Sequence, residues 1–246
     1  MAPRTLRSLR SWQDALVHAQ SLDVITGLCR GIGESLGYDA FVYALRVPTS
    51  FAGAQVVQVK GYPEAWLQRY WERGYFADDP VIAHCGRSVL PLAWTRLGPV
   101  APASRRVMQE ATEFGLRRGV TAPVHGPHGE LGILSFAGRA APGRRRDEDR
   151  SLAFAHHLAG HVHEAVRRVV GLAAVDVRPA LSPRERDCLR WASDGKTSWE
   201  IAQVLGVAER TVNFHLDNAA EKLGAVSRQH AIAKAIALGM LSPYPF

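Results

Sequence analysis

The sequence predicts two folded units in series. The first, over residues 1–174, is an α/β unit, an α-β-α sandwich with helices on either side of an antiparallel sheet. The second, over residues 181–246, is an all-α helix-turn-helix unit, and residues 175–180 are the linker between them. Three observations carry that prediction. Short period-two apolar runs alternate with helical-period segments through the first two thirds of the chain. Two helix-start signatures of one kind, Ser182-Pro183-Arg184-Glu185 and Thr197-Ser198-Trp199-Glu200, follow each other near the end. A chain of 246 residues that is 47% hydrophobic is long enough for a medium and a small core.

Leu16, Ile25, Leu28, Ile32 and Leu36 fall at helical spacing, so residues 14–36 read as a helix that ends on Gly37 as its C′ glycine. Ala40 to Val47 is a strand with Phe41, Tyr43 and Leu45 on one face and Val42 on the other. Gln55 to Tyr62 is a second strand, and Pro48, Thr49, Ser50 and Gly53 supply the loop. Pro63 at N1 opens a short helix to Arg73, closed by Gly74. Ser104 to Arg117 is helical. Val120 to Val124 and Leu131 to Ala137 form a hairpin around His125-Gly126-Pro127-His128-Gly129. The charged run from Pro142 to Arg150 reads as a solvated loop and helix start, leading into a long helix over about 147–174.

In the C-terminal unit both signatures are capping boxes, S-x-x-E and T-x-x-E, which satisfy the first free N–H groups of a helix. Ile201, Ala202 and Leu205 face inward, Gly206 makes the turn, and Val212, Leu216, Ala219 and Leu223 form one stripe of the next helix. The opposite side carries Arg210, Asn213, Phe214, Asp217 and Glu221, with Asn218 and Lys222 on the flank. Such a second helix fits a DNA major groove. There Asn213 can pair with adenine, Asp217 can accept from cytosine, and Phe214 can touch a thymine methyl. Arg210, Thr211 and Lys222 suit phosphates. Because Asp217 and Glu221 weaken this face electrostatically, a homodimer on two half-sites of double-stranded DNA is expected. Ile232, Ala235, Ile236 and Gly239 on the last helix would pair the two copies.

The net charge of +7 permits a polyanionic partner. Cys29, Cys85 and Cys188 are odd in number and lack C-x-x-C spacing, so neither a disulfide framework nor a zinc site is expected, and a reducing cytoplasm fits best. No run reaches the length of a membrane span, and Gln13, Asp14 and His18 interrupt any signal-peptide core. His157 and His161 stand one helical turn apart, but no third ligand follows, so His156, His157, His161 and His163 read as exposed helix surface and no metal is expected. Tyr62, Trp66, Tyr70, Trp71, Tyr75, Phe76, Asp78, Asp79 and, further on, Trp94 make an aromatic cluster with carboxylates. From pattern alone it serves equally as an ordinary core or as a small-molecule pocket.

Leu181-Ser182-Pro183-Arg184-Glu185, Gly195-Lys196-Thr197, Glu200-Ile201-Ala202, Leu205-Gly206-Val207, Thr211-Val212, His215-Leu216 and Lys222-Leu223-Gly224 resemble the C-terminal helix-turn-helix of LuxR-type regulators. Tyr62, Trp66, Tyr70, Asp79-Pro80, Trp94 and Gly119 resemble, in order and spacing, the pocket signature of the quorum-sensing members that answer acyl-homoserine lactones. The resemblance implies a transcriptional regulator with no cofactor, a small-molecule signal as ligand and RNA polymerase as a further partner. It implies that Asp79 accepts the amide N–H of the signal, Trp66 donates to the lactone carbonyl and Tyr62 to the amide carbonyl. Ser135 adds a polar contact, while Tyr70 and Trp94 wall the pocket. Leu67 offers no hydrogen bond beside Trp66, which leaves chain length and any 3-oxo group open. Rival readings are a LuxR-type receptor for a different small signal and a phosphorylation-switched response regulator. Residues 1–60 lack the acidic constellation that the latter requires. An enzyme is not expected, since no G-x-S-x-G, H-E-x-x-H, G-x-G-x-x-G or P-loop occurs.

Overall fold

The structure, a computed structural model, describes residues 8–48, 53–126, 129–139, 145–172 and 180–241. The expectations for Thr49 and Ser50, for Pro127 and His128, for Pro142 to Arg144 and for linker residues 175–179 lie outside the described residues. The chain divides into two compact units, one built on the sheet and one on the C-terminal helices. No helix among the described residues is long and apolar enough to cross a membrane.

The first unit opens with two helices, α1 (Leu9–Val17) and α2 (Leu22–Ser35), where the sequence reading had a single one. The chain breaks at residues 18–21 because Ser21 caps α2 by accepting from Val24 N, at 3.2 Å. Arg168 then binds the carbonyls of Leu16 and Ala19 at 3.0 and 3.1 Å, which satisfies the free end of α1. Helix α2 closes as expected, with Gly37 at a positive φ of 87°.

A five-stranded sheet follows: β1 (Ala40–Pro48), β2 (Ala54–Gly61), β3 (Leu92–Ala93), β4 (Arg118–His125) and β5 (Leu131–Gly138), in the order β2-β1-β5-β4-β3. The pairs β1 with β5, β4 with β5 and β3 with β4 are antiparallel. Alternation gives each face its own task. Phe41, Tyr43 and Leu45 lie on one side with Leu134 and Phe136, all fully buried or nearly so. That side is covered by α6 (Arg145–Val169), whose Ala155, Leu158, Ala159, Val162 and Val166 are buried, and by α1 and α2 packed on α6. The other side presents Val42, Ala44, Ile133 and Ser135 to α3 (Glu64–Glu72), α4 (Pro80–Cys85) and α5 (Pro102–Glu113). Helices on both faces make the expected sandwich, and the second face leaves a cavity.

The second unit holds α7 (Pro183–Ser193), α8 (Ser198–Leu205), α9 (Glu209–Lys222) and α10 (Arg228–Ala237). Both capping boxes form as read from the sequence. Gly206 takes a positive φ of 64° between α8 and α9, the left-handed conformation that glycine adopts without strain. Leu189, Ile201, Val212, Leu216, Ala219 and Ala235 share one core. That core corrects one expectation: Ala235 is fully buried and Ile232 packs against the same cluster, so of the intended pairing face on α10 only Ile236 is substantially exposed. Cys29, Cys85 and Cys188 are unpaired and fully buried.

Candidate functional site

The cavity on the second sheet face encloses about 100 Å³ and brings together all six pocket residues expected from the sequence: Tyr62, Trp66, Tyr70, Asp79, Trp94 and Ser135. Helix α3 supplies Trp66 and Tyr70, one turn apart on its inner side, with Leu67 next to Trp66. Pro63 is its N-cap rather than its first residue. Val107, Met108 and Ala111 of α5, Val81 and Ile82 of α4, and Gln58 of β2 complete the lining. The walls are therefore mostly apolar, with a few polar atoms placed among them.

Asp79 caps α4, its Oδ1 accepting from Val81 N at 2.8 Å and from Ile82 N at 3.4 Å, with Pro80 at N1. Its Oδ2 accepts from the Tyr70 hydroxyl at 2.8 Å. Burial pushes the carboxyl above its ordinary range, and the hydrogen bonds from Tyr70 and the two backbone groups oppose that push. Burial likewise raises the Tyr70 and Tyr62 hydroxyls, so both remain neutral donors. The Tyr62 hydroxyl faces Ser135 but makes no hydrogen bond of good geometry, and it is closed off from solvent. A buried donor without a partner costs about 1–3 kcal/mol, which a ligand acceptor would relieve.

Opposite Asp79, the Trp94 indole donates to Thr121 Oγ1 at 2.9 Å, and Thr121 Oγ1 lies 2.8 Å from Ser135 Oγ. Two hydroxyls share one hydrogen bond, so one hydroxyl hydrogen remains for another acceptor. Gly119 makes room for this arrangement: a Cβ there would stand 2.8 Å from the Trp94 ring and 2.7 Å from Phe136 O. Thr121, Gln58 and the α5 residues escaped the sequence reading. Thr121 had a readable signal, a lone hydroxyl in an otherwise apolar strand. Trp71 and Phe76, counted in the aromatic cluster, are 45% and 55% exposed and lie outside the cavity. Tyr75 is buried behind it, its ring 5.9 Å from that of Trp66.

Of the four α6 histidines, His163 is not surface: it is 2% exposed. Its Nδ1 lies 2.8 Å from the Tyr43 hydroxyl and its Nε2 3.5 Å from Glu130, which Arg167 holds at 2.8 Å. Burial pulls its pKa down to about 4. The position faces the sheet because 155, 158, 159, 162, 163 and 166 share one side of the helix. His157 and His161 both reach the Gln13 side chain, at 2.5 and 3.0 Å. No group of three or more His, Cys, Asp or Glu suited to a metal is present among the described residues.

On α9 the stripe of Val212, Leu216 and Ala219 is buried. Arg210, Asn213, Phe214, Asp217 and Glu221 are exposed, with Phe214 at 59%, whereas Thr211 and Asn218 are half-buried. The other three helices of this unit have Ser182, Thr197 or Ser227 as a bonded N-cap. Helix α9 has Ala208, which leaves its first N–H groups without a side-chain acceptor. Lys222 stands apart from this face: its ammonium lies 2.8 Å from both oxygens of the buried Glu185 and 3.3 Å from Ala180 O. It ties α9 to α7, so the phosphate contact expected of it competes with a job inside the unit.

Residues 21–166 match the family model described as autoinducer binding domain, and residues 179–235 match bacterial regulatory proteins, luxR family. The chain is 41% identical over 216 residues to the transcriptional activator protein AhyR of Aeromonas hydrophila, covering 85% of this chain and 82% of that one. It is 37% identical to the quorum sensing-dependent transcriptional regulator RpaR of Rhodopseudomonas palustris, with 84% of each covered. Among solved structures it resembles SdiA in complex with octanoyl-rac-glycerol, with a TM-score of 0.77 and 28% identity over 96% of both chains. A further SdiA structure, from Escherichia coli, gives a TM-score of 0.75.

Proposed function

The chain belongs to the LuxR family of bacterial regulatory proteins, a quorum-sensing transcriptional regulator with an autoinducer-binding domain ahead of its helix-turn-helix; from that premise we propose that its ligand is an N-acyl-homoserine lactone. The unpartnered Tyr62 hydroxyl carries this reading. It sits in one apolar cavity with a spare hydroxyl hydrogen on the Thr121 and Ser135 pair and with the Asp79 carboxylate. Two donors and one acceptor complement an acyl amide, which offers a carbonyl and one N–H. In this reading Tyr62 donates to the amide carbonyl, Asp79 accepts the amide N–H, Trp66 donates to the lactone carbonyl, and Ser135 adds a polar contact. Tyr70 orients Asp79, and Trp94 orients Thr121. The domain boundaries at 174 and 181 belong to the same reading.

The helical unit reads DNA as one half of a homodimer on a palindromic element. Asn213, Phe214 and Asp217 meet base edges, while Arg210, Thr211, Asn218 and the uncapped start of α9 meet the backbone. The protein acts by binding rather than catalysis, in the cytoplasm, with RNA polymerase as its downstream partner. Ligand burial favours the folded receptor by mass action. Tyr62→Phe separates a ligand role from a structural one. The variant keeps or slightly raises the melting temperature of the free protein, because the removed hydroxyl has no partner. It weakens lactone binding by about 10- to 100-fold, as a lost hydrogen bond to a buried carbonyl does. A variant that melts lower and binds the lactone as tightly as the wild type would return Tyr62 to the core.

SdiA in complex with octanoyl-rac-glycerol favours a second reading, an acyl ester in place of the lactone amide. An ester carbonyl would satisfy Tyr62 but offers no N–H to Asp79. Mass spectrometry of the molecule that co-purifies from a lactone-producing host decides between the two.

A further inference from the structure

We infer that the seam between α1 and α6 forms a site for one late first-row divalent metal ion, zinc above all, with His157 and His161 as imidazole ligands and Gln13 as a third donor. The site lies on the side of the sheet opposite the cavity and owes nothing to the lactone reading. In sequence only two of its three donors stand together. His157 and His161 are four residues apart and so project from one side of α6, the spacing at which a helix offers two imidazoles to one ion. The donor missing from that stretch comes from another helix. Helix α1 packs on α6, and Gln13, in the middle of α1, reaches both rings.

The three side chains converge on one point. The Gln13 amide nitrogen lies 2.5 Å from His157 Nε2 and 3.0 Å from His161 Nε2, and the two ring centroids are 5.6 Å apart. An amide nitrogen placed there donates to both rings, so each imidazole is neutral and presents its Nε2 lone pair, the form that a metal binds. Turning the amide over exchanges its nitrogen for its oxygen and brings a third lone pair to the same place. Around zinc, with bonds of about 2.0–2.1 Å at tetrahedral angles, ligand atoms stand roughly 3.3 Å apart. The donors therefore have to part by less than about 1 Å, which the rotatable glutamine side chain allows. The donor set also selects the ion. Two imidazoles and a neutral amide suit zinc, nickel or copper, and they offer too few oxygens and no charge for magnesium or calcium. His157 is exposed, and His161 and Gln13 are half-buried, so an ion reaches the seam from solvent and keeps water in its remaining positions. Bound there, it ties α1 to α6 in addition to the hold that Arg168 has on the carbonyls of Leu16 and Ala19.

The test is calorimetric titration of the full-length protein, first stripped with a chelator, with Zn²⁺ and in parallel with Mg²⁺. One Zn²⁺ binds per chain and Mg²⁺ does not, and the melting temperature rises with Zn²⁺ concentration by mass action. His157→Gln and His161→Gln each weaken binding by at least about tenfold, the least that losing even an outer partner of a metal ligand costs. His156→Gln, on the same helix, leaves it unchanged. Gln13→His tightens binding by a similar factor, because three imidazoles make a stronger set, and Gln13→Ala loosens it. Unchanged melting of every variant in chelator checks that the substitutions leave the fold alone. Absence of saturable Zn²⁺ binding overturns the inference, as does Mg²⁺ binding equally well. Wild-type Zn²⁺ affinity in the double variant His157→Gln, His161→Gln moves the ion elsewhere and overturns it too. An affinity indifferent to both Gln13 substitutions reduces the seam to a surface histidine pair and overturns the three-donor site.

Discussion

The sheet unit and the helical unit both bury apolar surface with amphipathic elements, yet they treat their buried polar groups in opposite ways. In the helical unit the buried carboxylate of Glu185 is saturated: it accepts from Ser182 N and holds both oxygens against Lys222. Three of the four helices there are side-chain capped, and Arg190 Nε is the one buried side-chain atom left without a hydrogen bond among the described residues of that unit. In the sheet unit the Tyr62 hydroxyl stands unpartnered against a cavity, and Asp79 and Ser135 point polar atoms into the same space. A unit whose polar groups are already paired has nothing to gain from a small molecule. One that keeps a donor dry and unpaired is completed by the right acceptor.

Lys222→Ala tests the saturated side most severely. It leaves the Glu185 carboxylate buried without its cation and should cost the helical unit about 3 kcal/mol, at the lower end of what breaking a buried pair costs because Lys222 is itself partly exposed. The effect reads out as earlier unfolding of the helical signal in denaturant, and Glu185→Gln in the same chain should recover much of it. If Lys222→Ala keeps wild-type stability and only flattens the salt dependence of DNA binding, Lys222 is a phosphate contact after all.

The sheet unit also buries a titratable group on its other face, and pH probes it. His163 is held neutral by burial, with its pKa down to about 4 against an ordinary 6.5. A depressed histidine contributes stability that is full above pH 6.5 and is lost as pH falls toward 4, because the unfolded chain takes up the proton first. The loss should approach about 3 kcal/mol. Glu130, whose carboxyl burial raises, offsets part of it by favouring the fold at the acid end. Thermal melts from pH 7 to 4 should show the decline, and His163→Gln should flatten it. A wild-type curve without slope in that window would place the proton elsewhere.

The smallest expected effect lies at the start of α9. Ala208→Ser supplies the missing cap and should stabilise the helical unit by about 1 kcal/mol. If phosphate occupies those N–H groups in the complex, the same change weakens DNA binding a few-fold. Unchanged affinity in a gel-shift titration would remove the helix start from the interface.

How much of this was legible in the sequence follows from the reach of each signal. Caps and turns are local, so Ser182 with Glu185, Thr197 with Glu200, Gly37 and Gly206 could be read directly. Strand faces were legible because alternation needs no partner. The break between α1 and α2 was not, since apolar spacing runs on through it and the closing group, Arg168, comes from 150 residues away. His163 was misplaced for the same reason, and the pairing of Lys222 could not be read: what they touch, Tyr43 and Glu185, is distant in sequence. In the cavity, the polar residues could be named from a resemblance, whereas Gln58, Thr121 and the α5 lining enter only through the packing of separate elements.

The three buried cysteines bear on what kind of input this molecule can register. Burial drives the thiols of Cys29 and Cys85 up to about 12 and raises that of Cys188, so almost no thiolate forms at neutral pH, and none of the three side chains meets solvent. Peroxides and disulfide reagents act on accessible thiolates. Burial therefore shields the three thiols of the folded protein from such reagents, and they become reactive only where the fold opens.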